Sequence, residues 1–314
     1  MHYEYAVEPR AIGQDWGTFK YLIEKFGFDK GRLIAWFPSS WERDVWNAAR
    51  ASGMGQIKLK SVEQRLAQAR KNGLYRRGRR YDPGLGSWSS NALQQHMVLP
   101  FRAILMIDPV VGDASTLKAD EIDETTSLFV VQTSWETVRT PSEIAKAVGP
   151  LISAAKEIMI VDPYLDLRNP KLEDYSGPLQ EMLTYMSLCG VKNRSIQLHF
   201  STHDSRPNQQ FIIDNARKWV RGMIPESFSL ELFEWRQRPG GAHFHDRYVL
   251  CDCGGISAGA GFGAVGSHQN VSFTLLSLED VVAKSARLRL DTCAYDLVQP
   301  VIKIDHHGNA SVLG

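Results

Sequence analysis

The stretch from His243 to Asp252, HFHDRYVLCD, decides the fold. Its second half is a short apolar run, as expected of a strand buried in a sheet, and we predict a strand over residues 246–251. Side chains on a strand alternate between its two faces, so His245 and Arg247 are expected to project from the same face. Asp252 stands at the end of this strand, before a glycine-rich stretch.

These residue types suit chemistry on a phosphodiester. A neutral imidazole acts as a nucleophile or general base. An arginine guanidinium grips phosphate with two parallel hydrogen bonds. We therefore predict that His245 and Arg247 form a phosphate site, with Asp252 orienting a histidine.

Strands and helices alternate on both sides of this stretch. Proline at the first helical position of the capping box Thr140 to Glu143 predicts a helix start. Further strands are expected at 157–161, 195–200, 228–235 and 300–304, and helices at 177–188, 208–223 and 278–290. This alternation predicts an α/β domain over residues 136–314, with a mixed sheet flanked by helices.

The preceding residues, 1–135, are expected to form a smaller α+β region. Apolar periodicity predicts helices at 16–26, 41–51 and 61–72, and strands at 101–107 and 128–132. The aromatic residues Trp36, Phe37, Trp41 and Trp46 are expected to belong to its core.

The spacing His245-x-Arg247-x4-Asp252 resembles the HxKx4D signature of the phospholipase D superfamily, with arginine in place of lysine. The residues from Ile158 to Tyr164 resemble the strand that opens a domain of this family. The resemblance covers roughly residues 140–300 and implies a phospholipase D-like fold for the C-terminal domain.

The resemblance also implies a metal-independent phosphodiesterase without a cofactor. In that family one histidine forms a phosphohistidine and a second protonates the leaving group. Carried over, His245 is the nucleophile or the acid, Arg247 binds phosphate and Asp252 orients. Ser267 and Asn270 are weaker candidates for substrate contact, because the downstream element of the family is not at its usual spacing.

The chain carries one copy of the motif. Family members with one copy join two histidines across a twofold axis, so the resemblance implies a homodimer or an inactive site.

Charge points to a polyanionic partner. The chain has a net charge of +1, yet residues 58–80 hold nine basic residues and the single acid Glu63. Eight of these bases are candidate nucleic-acid contacts: Lys58, Lys60, Arg70, Lys71, Arg76, Arg77, Arg79 and Arg80. Tyr81 and Trp88 follow closely and add rings on which bases stack. A solvated helix face is the alternative interpretation.

Composition bounds the class of protein. The 314 residues are 43% hydrophobic and 23% charged, as in ordinary globular chains. Without a bilayer-length apolar run or a secretory signal, and with four cysteines, the sequence predicts a cytoplasmic protein with no membrane contact.

Other candidate sites fit the sequence less well than the phosphate site. His243, His245, Cys251 and Cys253 have the types of zinc ligands, but along a strand His245 and Cys251 lie about 20 Å apart. The glycine pattern at 261–266 is not followed by a helix signal, so a loop is expected there. Asp162 and Asp166 are expected to cap a loop, and no metal site is predicted.

The sequence is consistent with two functions and with a structural role. The first is a phospholipase D-type nuclease acting on DNA or RNA. The alternative is an inactive phosphate-binding or nucleic-acid-binding subunit of a larger complex, serving a partner ATPase or effector. A scaffold without either activity is the third possibility.

Overall fold

The fold is taken from a computed structural model that describes residues 2–168 and 173–313. The chain divides into two compact units, Met1–Thr133 and Ser134–Gly314. Each unit has its own sheet and its own buried core.

The first unit is built on a five-stranded sheet in the order β3-β2-β1-β4-β5. Its strands are β1 (Tyr3–Val7), β2 (Arg32–Ala35), β3 (Leu74–Tyr75), β4 (Ile104–Met106) and β5 (Thr116–Lys118). Every neighbouring pair is parallel. Parallel strands need crossover connections, and helices provide most of them here.

Helices cover both faces of this sheet. They are α1 (Pro9–Gly13), α2 (Trp16–Lys25), α3 (Trp41–Ala51), α4 (Gln56–Asn72) and α5 (Trp88–Val98). Residues of α1 to α4 pack with Tyr5 and Val7 on one face. Ala92 of α5 packs with Ala6 and Phe37 on the other. Alternate residues of β1 thus enter opposite cores, as strand geometry requires.

Two expectations for this unit are wrong. The sheet is parallel throughout, so the unit is α/β and not α+β. Residues 128–132 are the end of a turn followed by irregular chain, and not a strand. There Phe129 is buried against Phe26 and Tyr5, and the Tyr5 hydroxyl donates to the Leu128 carbonyl. The apolar run therefore fills the core without pairing in the sheet.

The second unit contains a mixed sheet of ten strands. They are β6 (Ser134–Arg139), β7 (Ile158–Val161), β8 (Arg194–Ser201), β9 (Phe228–Arg236), β10 (Tyr248–Cys251), β11 (Gly254–Ala258), β12 (Gly266–Leu275), β13 (Asp296–Leu297), β14 (Ile302–Asp305) and β15 (Ala310–Val312). The main path runs β15-β14-β9-β8-β7-β10-β11-β12-β6, and β13 pairs with β9. Only β7-β8 and β8-β9 are parallel among the pairs of this path in the described residues.

The helices of this unit are α6 (Pro141–Ala154), α7 (Ser176–Leu188), α8 (Gln209–Trp219) and α9 (Leu278–Ala286). The predicted α/β class, with a mixed sheet flanked by helices, is confirmed for this unit. Within residues 2–168 and 173–313, no helix combines the length and the apolar character that crossing a membrane requires.

The strand predicted over 246–251 begins two residues later, at Tyr248. Tyr248 pairs with Val161, the last residue of β7. Beyond Val161 the neighbouring chain turns away at Asp162 and Pro163. His245 and Arg247 therefore lie in an irregular segment, where the strict alternation of a strand does not apply.

Candidate functional site

The segment before β10 borders a small cavity that we call the histidine pocket. It is lined by Val161, His243, Phe244, His245, Asp246, Tyr248, Lys284, Arg287, Leu288 and Tyr295. Its volume is about 30 Å³, more than the roughly 10–15 Å³ that a cavity needs to hold one water molecule. The pocket therefore has room for an oxygen of a phosphate group, while the remainder of a ligand would lie at the surface.

The hydrophobic core positions the two histidines. The Phe244 ring meets the Tyr295 ring edge to face, with centroids 4.9 Å apart. The Tyr295 hydroxyl donates to the His243 carbonyl oxygen at 3.2 Å. Phe244 is thus held at the edge of the core, while His243 and His245 on either side of it are exposed.

Two cations at the C-terminal end of α9 border the same pocket. Lys284 Nζ donates to the Tyr248 hydroxyl at 3.0 Å, and Arg287 follows one helical turn later. The Tyr248 hydroxyl in turn donates to the Asp246 carboxylate. Burial, followed by this hydrogen bond, raises the pKa of Tyr248, so its phenol stays protonated. The Asp246 carboxylate also borders this cavity, but two cations and two imidazoles surround it, so the environment favours an anion.

Sequence analysis missed Lys284 and Arg287, although the helix that carries them was predicted. Their spacing of three residues places them on one helix face, and this was the available signal. Nothing in the sequence indicated that this face lies against β10, which follows only from the sheet order.

Arg247 turns toward a buried carboxylate. Its Nε lies 3.8 Å from Oδ1 of Asp162, and its Nη1 donates to the Gly259 carbonyl oxygen at 3.0 Å. The guanidinium also lies 5.1 Å from the centroid of the Tyr164 ring. Arg247 is therefore fixed in place, with its side chain 20% exposed.

Asp162 is fully buried and is the centre of this arrangement. It accepts backbone N–H groups from Tyr164 at 3.0 Å and Phe262 at 3.1 Å, so it does cap a loop, as predicted. Burial raises the pKa of its carboxyl group, while these amides and Arg247 act in the opposite direction.

The glycine-rich stretch at 261–266 forms a loop against Asp162, and β12 follows it directly. Gly261 has φ of +86°, and a Cβ there would lie 2.5 Å from Oδ2 of Asp162. Only glycine fits this close approach. The loop therefore belongs to the support of Arg247, and no helix follows it as a dinucleotide fingerprint requires.

The structure does not bring the three motif residues together: Arg247 does not line the histidine pocket that His245 borders, and Asp252 lies apart from both. It follows the far end of β10, about 16 Å along the strand from Arg247. Its carboxylate accepts the N–H groups of Lys156 at 2.8 Å and Glu157 at 3.2 Å. We therefore withdraw the orienting role expected of Asp252 and assign it to capping this turn.

Ser267 and Asn270 are exposed near the start of β12, at an irregularity in its pairing with β6. Arg139 of β6 donates to the Gly263 carbonyl oxygen there and pairs with Glu173. Ser267 and Asn270 thus flank the base of the glycine loop and do not line the histidine pocket.

The basic segment of the first unit separates into cations engaged within the fold and exposed cations, of which Arg77 lies 3.9 Å from Glu4. Arg79 is buried, with 3% of its side chain exposed, and donates to both oxygens of Glu4. Its guanidinium also lies 3.6 Å from the centroid of the Phe101 ring. Arg79 is therefore part of the core, and its predicted contact with nucleic acid is wrong.

Arg70 is also engaged, since its guanidinium bonds both carboxylate oxygens of Glu42. The other predicted contacts are exposed: Lys58, Lys60, Lys71, Arg76, Arg77 and Arg80. Arg76 stacks on the half-buried Trp36 ring, with its Cζ 3.7 Å from the ring centroid. Trp41 and Phe37 are core residues as predicted, whereas Trp36 and Trp46 are only half-buried.

The remaining candidate ligands do not converge. Among residues 2–168 and 173–313, no three His, Cys, Asp or Glu side chains are arranged to hold a metal ion. Cys251 and Cys253 are buried, and burial raises the pKa of each thiol. Asp166 pairs with Arg168 and Arg206.

Comparison with known proteins gives no family. No known family and no curated protein matches the chain. Among solved structures, TrmBL2, an archaeal chromatin protein described as showing a novel mode of DNA binding, is 14% identical with a TM-score of 0.25. The match covers 54% of this chain and 54% of that chain. The chain thus spans about half of TrmBL2, and a similarity at this level defines neither fold nor function.

Proposed function

We propose that this chain is a metal-independent phosphodiesterase of the phospholipase D type that acts on nucleic acid. One observation carries the proposal: His245 borders a cavity together with His243, Lys284 and Arg287. The cations neutralise a bound phosphate, and the imidazole supplies the nucleophile. The HxRx4D resemblance supports the same chemistry.

In the proposed reaction, a nitrogen of His245 attacks the phosphorus atom. The bond from phosphorus to the leaving oxygen breaks, and that oxygen takes a proton from a second imidazole. Water then attacks the phosphohistidine, and its proton returns to the second imidazole. In the family resemblance, this second imidazole is His245 of another subunit, so a homodimer belongs to the proposal.

The exposed bases of the first unit support nucleic acid as the substrate. Lys58, Lys60 and Lys71 lie on α4, and Arg76, Arg77 and Arg80 follow β3. Exposed cations neutralise backbone phosphates without regard to sequence. The stacked pair of Arg76 and Trp36 adds a planar surface of the kind that contacts bases.

The proposal is tested by incubating the protein with labelled DNA and RNA, single-stranded and double-stranded, with and without EDTA. We expect cleavage that survives EDTA and is lost in His245→Ala. His307→Ala is the matched control, because His307 is an exposed histidine in the turn between β14 and β15. Cleavage that EDTA abolishes and His245→Ala retains would refute the mechanism.

An inactive binding subunit is the second candidate, and the contacts of Arg247 favour it. The guanidinium is already held by Asp162 and the Gly259 carbonyl, so part of its capacity for phosphate is used. Such a subunit would present nucleic acid to a partner ATPase or effector. Binding of the labelled strands without cleavage, weakened in Lys284→Ala, would support this function.

A further inference from the structure

His243 shares the histidine pocket with His245, although the motif does not include it. Both imidazoles are exposed, and both residues line the same cavity of about 30 Å³. Phe244 between them is fixed by Tyr295, and Tyr295 also holds the His243 carbonyl. The backbone of this pair is thus anchored at both residues 243 and 244.

We propose that His243 is the second imidazole of the reaction, so that one chain carries a complete catalytic site. This inference rests on the proposed function, because it assigns the proton donor of the same reaction. It changes one consequence of the resemblance: a partner subunit is not needed to supply the second histidine.

The step is balanced within the chain. His243 enters as imidazolium, and the leaving oxygen takes its proton as the phosphorus–oxygen bond breaks and the bond to His245 forms. Neutral His243 then accepts a proton from the water that attacks the phosphohistidine. Hydrolysis frees His245 and restores the imidazolium of His243. Lys284 and Arg287 remain charged and hold the phosphate oxygens throughout.

The leaving group provides the first test. A general acid contributes about 10²–10⁴-fold to rate, but a p-nitrophenolate leaving group needs no proton. We expect His243→Ala and His243→Gln to slow cleavage of an oligonucleotide by about 100-fold or more. Both should slow the first burst of p-nitrophenolate release from bis(p-nitrophenyl) phosphate by less than about tenfold, because this step needs no acid, whereas the later hydrolysis step still loses its base.

Equal losses on the two substrates, or no loss on either, would refute the role of His243. Thermal unfolding of both variants checks that the fold is intact, which the exposure of the side chain leads us to expect. His245→Ala separates the two claims. If it retains cleavage, the proposed function fails; if it is inactive while His243 variants behave as wild type, only this inference fails.

Mixing provides a second test of where the site is completed. Wild-type protein and His245→Ala are combined in varied ratios, unfolded and refolded together so that subunits exchange. A site complete in one chain predicts activity proportional to the wild-type fraction. Activity that follows the square of that fraction would show that two subunits share each site, and would refute the inference.

Discussion

At the residue scale, position along β10 decides which aspartate acts on Arg247. Asp162 follows β7 at the edge where Arg247 precedes β10, and it lies 3.8 Å away. Asp252 follows β10 at the opposite edge. The spacing of the motif indicated Asp252, because spacing in sequence does not show which end of a strand faces a site.

The two aspartates give a matched pair of variants. Asp162→Asn removes the charge that pairs with Arg247 at 3.8 Å, an ion pair rather than a hydrogen bond, which is worth about 1 kcal/mol or more where it is buried. We therefore expect kcat/KM to fall about fivefold or more. Asp252→Asn should lower the free energy of unfolding by about 1 kcal/mol and leave kcat/KM unchanged. Equal loss of activity in both variants would contradict the assignment.

Lys284 and Arg287, at the C-terminal end of α9, should affect substrate binding. We expect Lys284→Ala and Arg287→Ala each to lower kcat/KM by about 10-fold to 100-fold, the value of one charge-assisted hydrogen bond. Arg289→Ala is the control, because Arg289 is exposed on the same segment but pairs with Glu157. Steady-state kinetics on one oligonucleotide compares the three variants. An Arg289 effect as large as that of Lys284 would contradict the site.

Neighbouring arginines of the first unit should behave differently. Arg79→Ala leaves the buried Glu4 without its close bidentate partner, which costs about 3–5 kcal/mol of unfolding free energy. Arg80→Ala should leave stability unchanged and weaken nucleic-acid binding, with a salt dependence shallower by about one unit of slope. Urea unfolding and binding titrations at several salt concentrations measure both quantities. Unchanged stability in Arg79→Ala together with lost stability in Arg80→Ala would contradict this assignment of the two side chains.

At the element scale, helices were predicted better than strands. The helix Trp41–Ala51 was predicted with the bounds that the structure shows, since its period repeats over three turns. The parallel strands β1 and β2 were missed, because they have five and four residues and no alternation. The segment at 128–132 shows the converse, an apolar run that packs in a core without pairing.

The parallel strands β8 and β9 contain a pH-sensitive stack. His199 is fully buried against Phe233 and Trp235, and Nε1 of Trp235 donates to its Nδ1 at 2.9 Å. Burial lowers the pKa of His199 from 6.5 to about 3. Above pH 6.5 neither the folded nor the unfolded state protonates it. Below pH 6.5 the unfolded state binds a proton that the folded state does not. The free energy of unfolding therefore decreases as the pH is lowered.

When the pH is lowered from 7 to 5, protonation of this imidazole in the unfolded state should lower the free energy of unfolding by about 2 kcal/mol. We expect His199→Gln to lose about that much less than wild type over the same interval, since glutamine does not titrate. His307→Gln, at an exposed position, should follow wild type. Urea unfolding at the two pH values measures the difference, and identical losses in wild type and His199→Gln would contradict the burial of a neutral imidazole.

At the scale of the whole molecule, the sequence predicted the second unit better than the first. Alternating strands and helices sufficed for an α/β unit with a mixed sheet. The candidate site was predicted in part: His245 and Arg247 lie near one another in sequence, but their partners come from α9 and from the end of β7. Such partners depend on tertiary contacts, which no local pattern in one sequence encodes.

The covalent intermediate is the most direct test of the central claim that His245 attacks phosphorus. The protein is mixed with a labelled oligonucleotide in EDTA, quenched during turnover and digested for mass spectrometry. An adduct in which phosphorus joins His245 to the retained part of the oligonucleotide is expected on the peptide that holds His245, stable in base and lost in acid, and absent from His245→Ala. Continued cleavage without any adduct, or an adduct on another residue, would contradict the account.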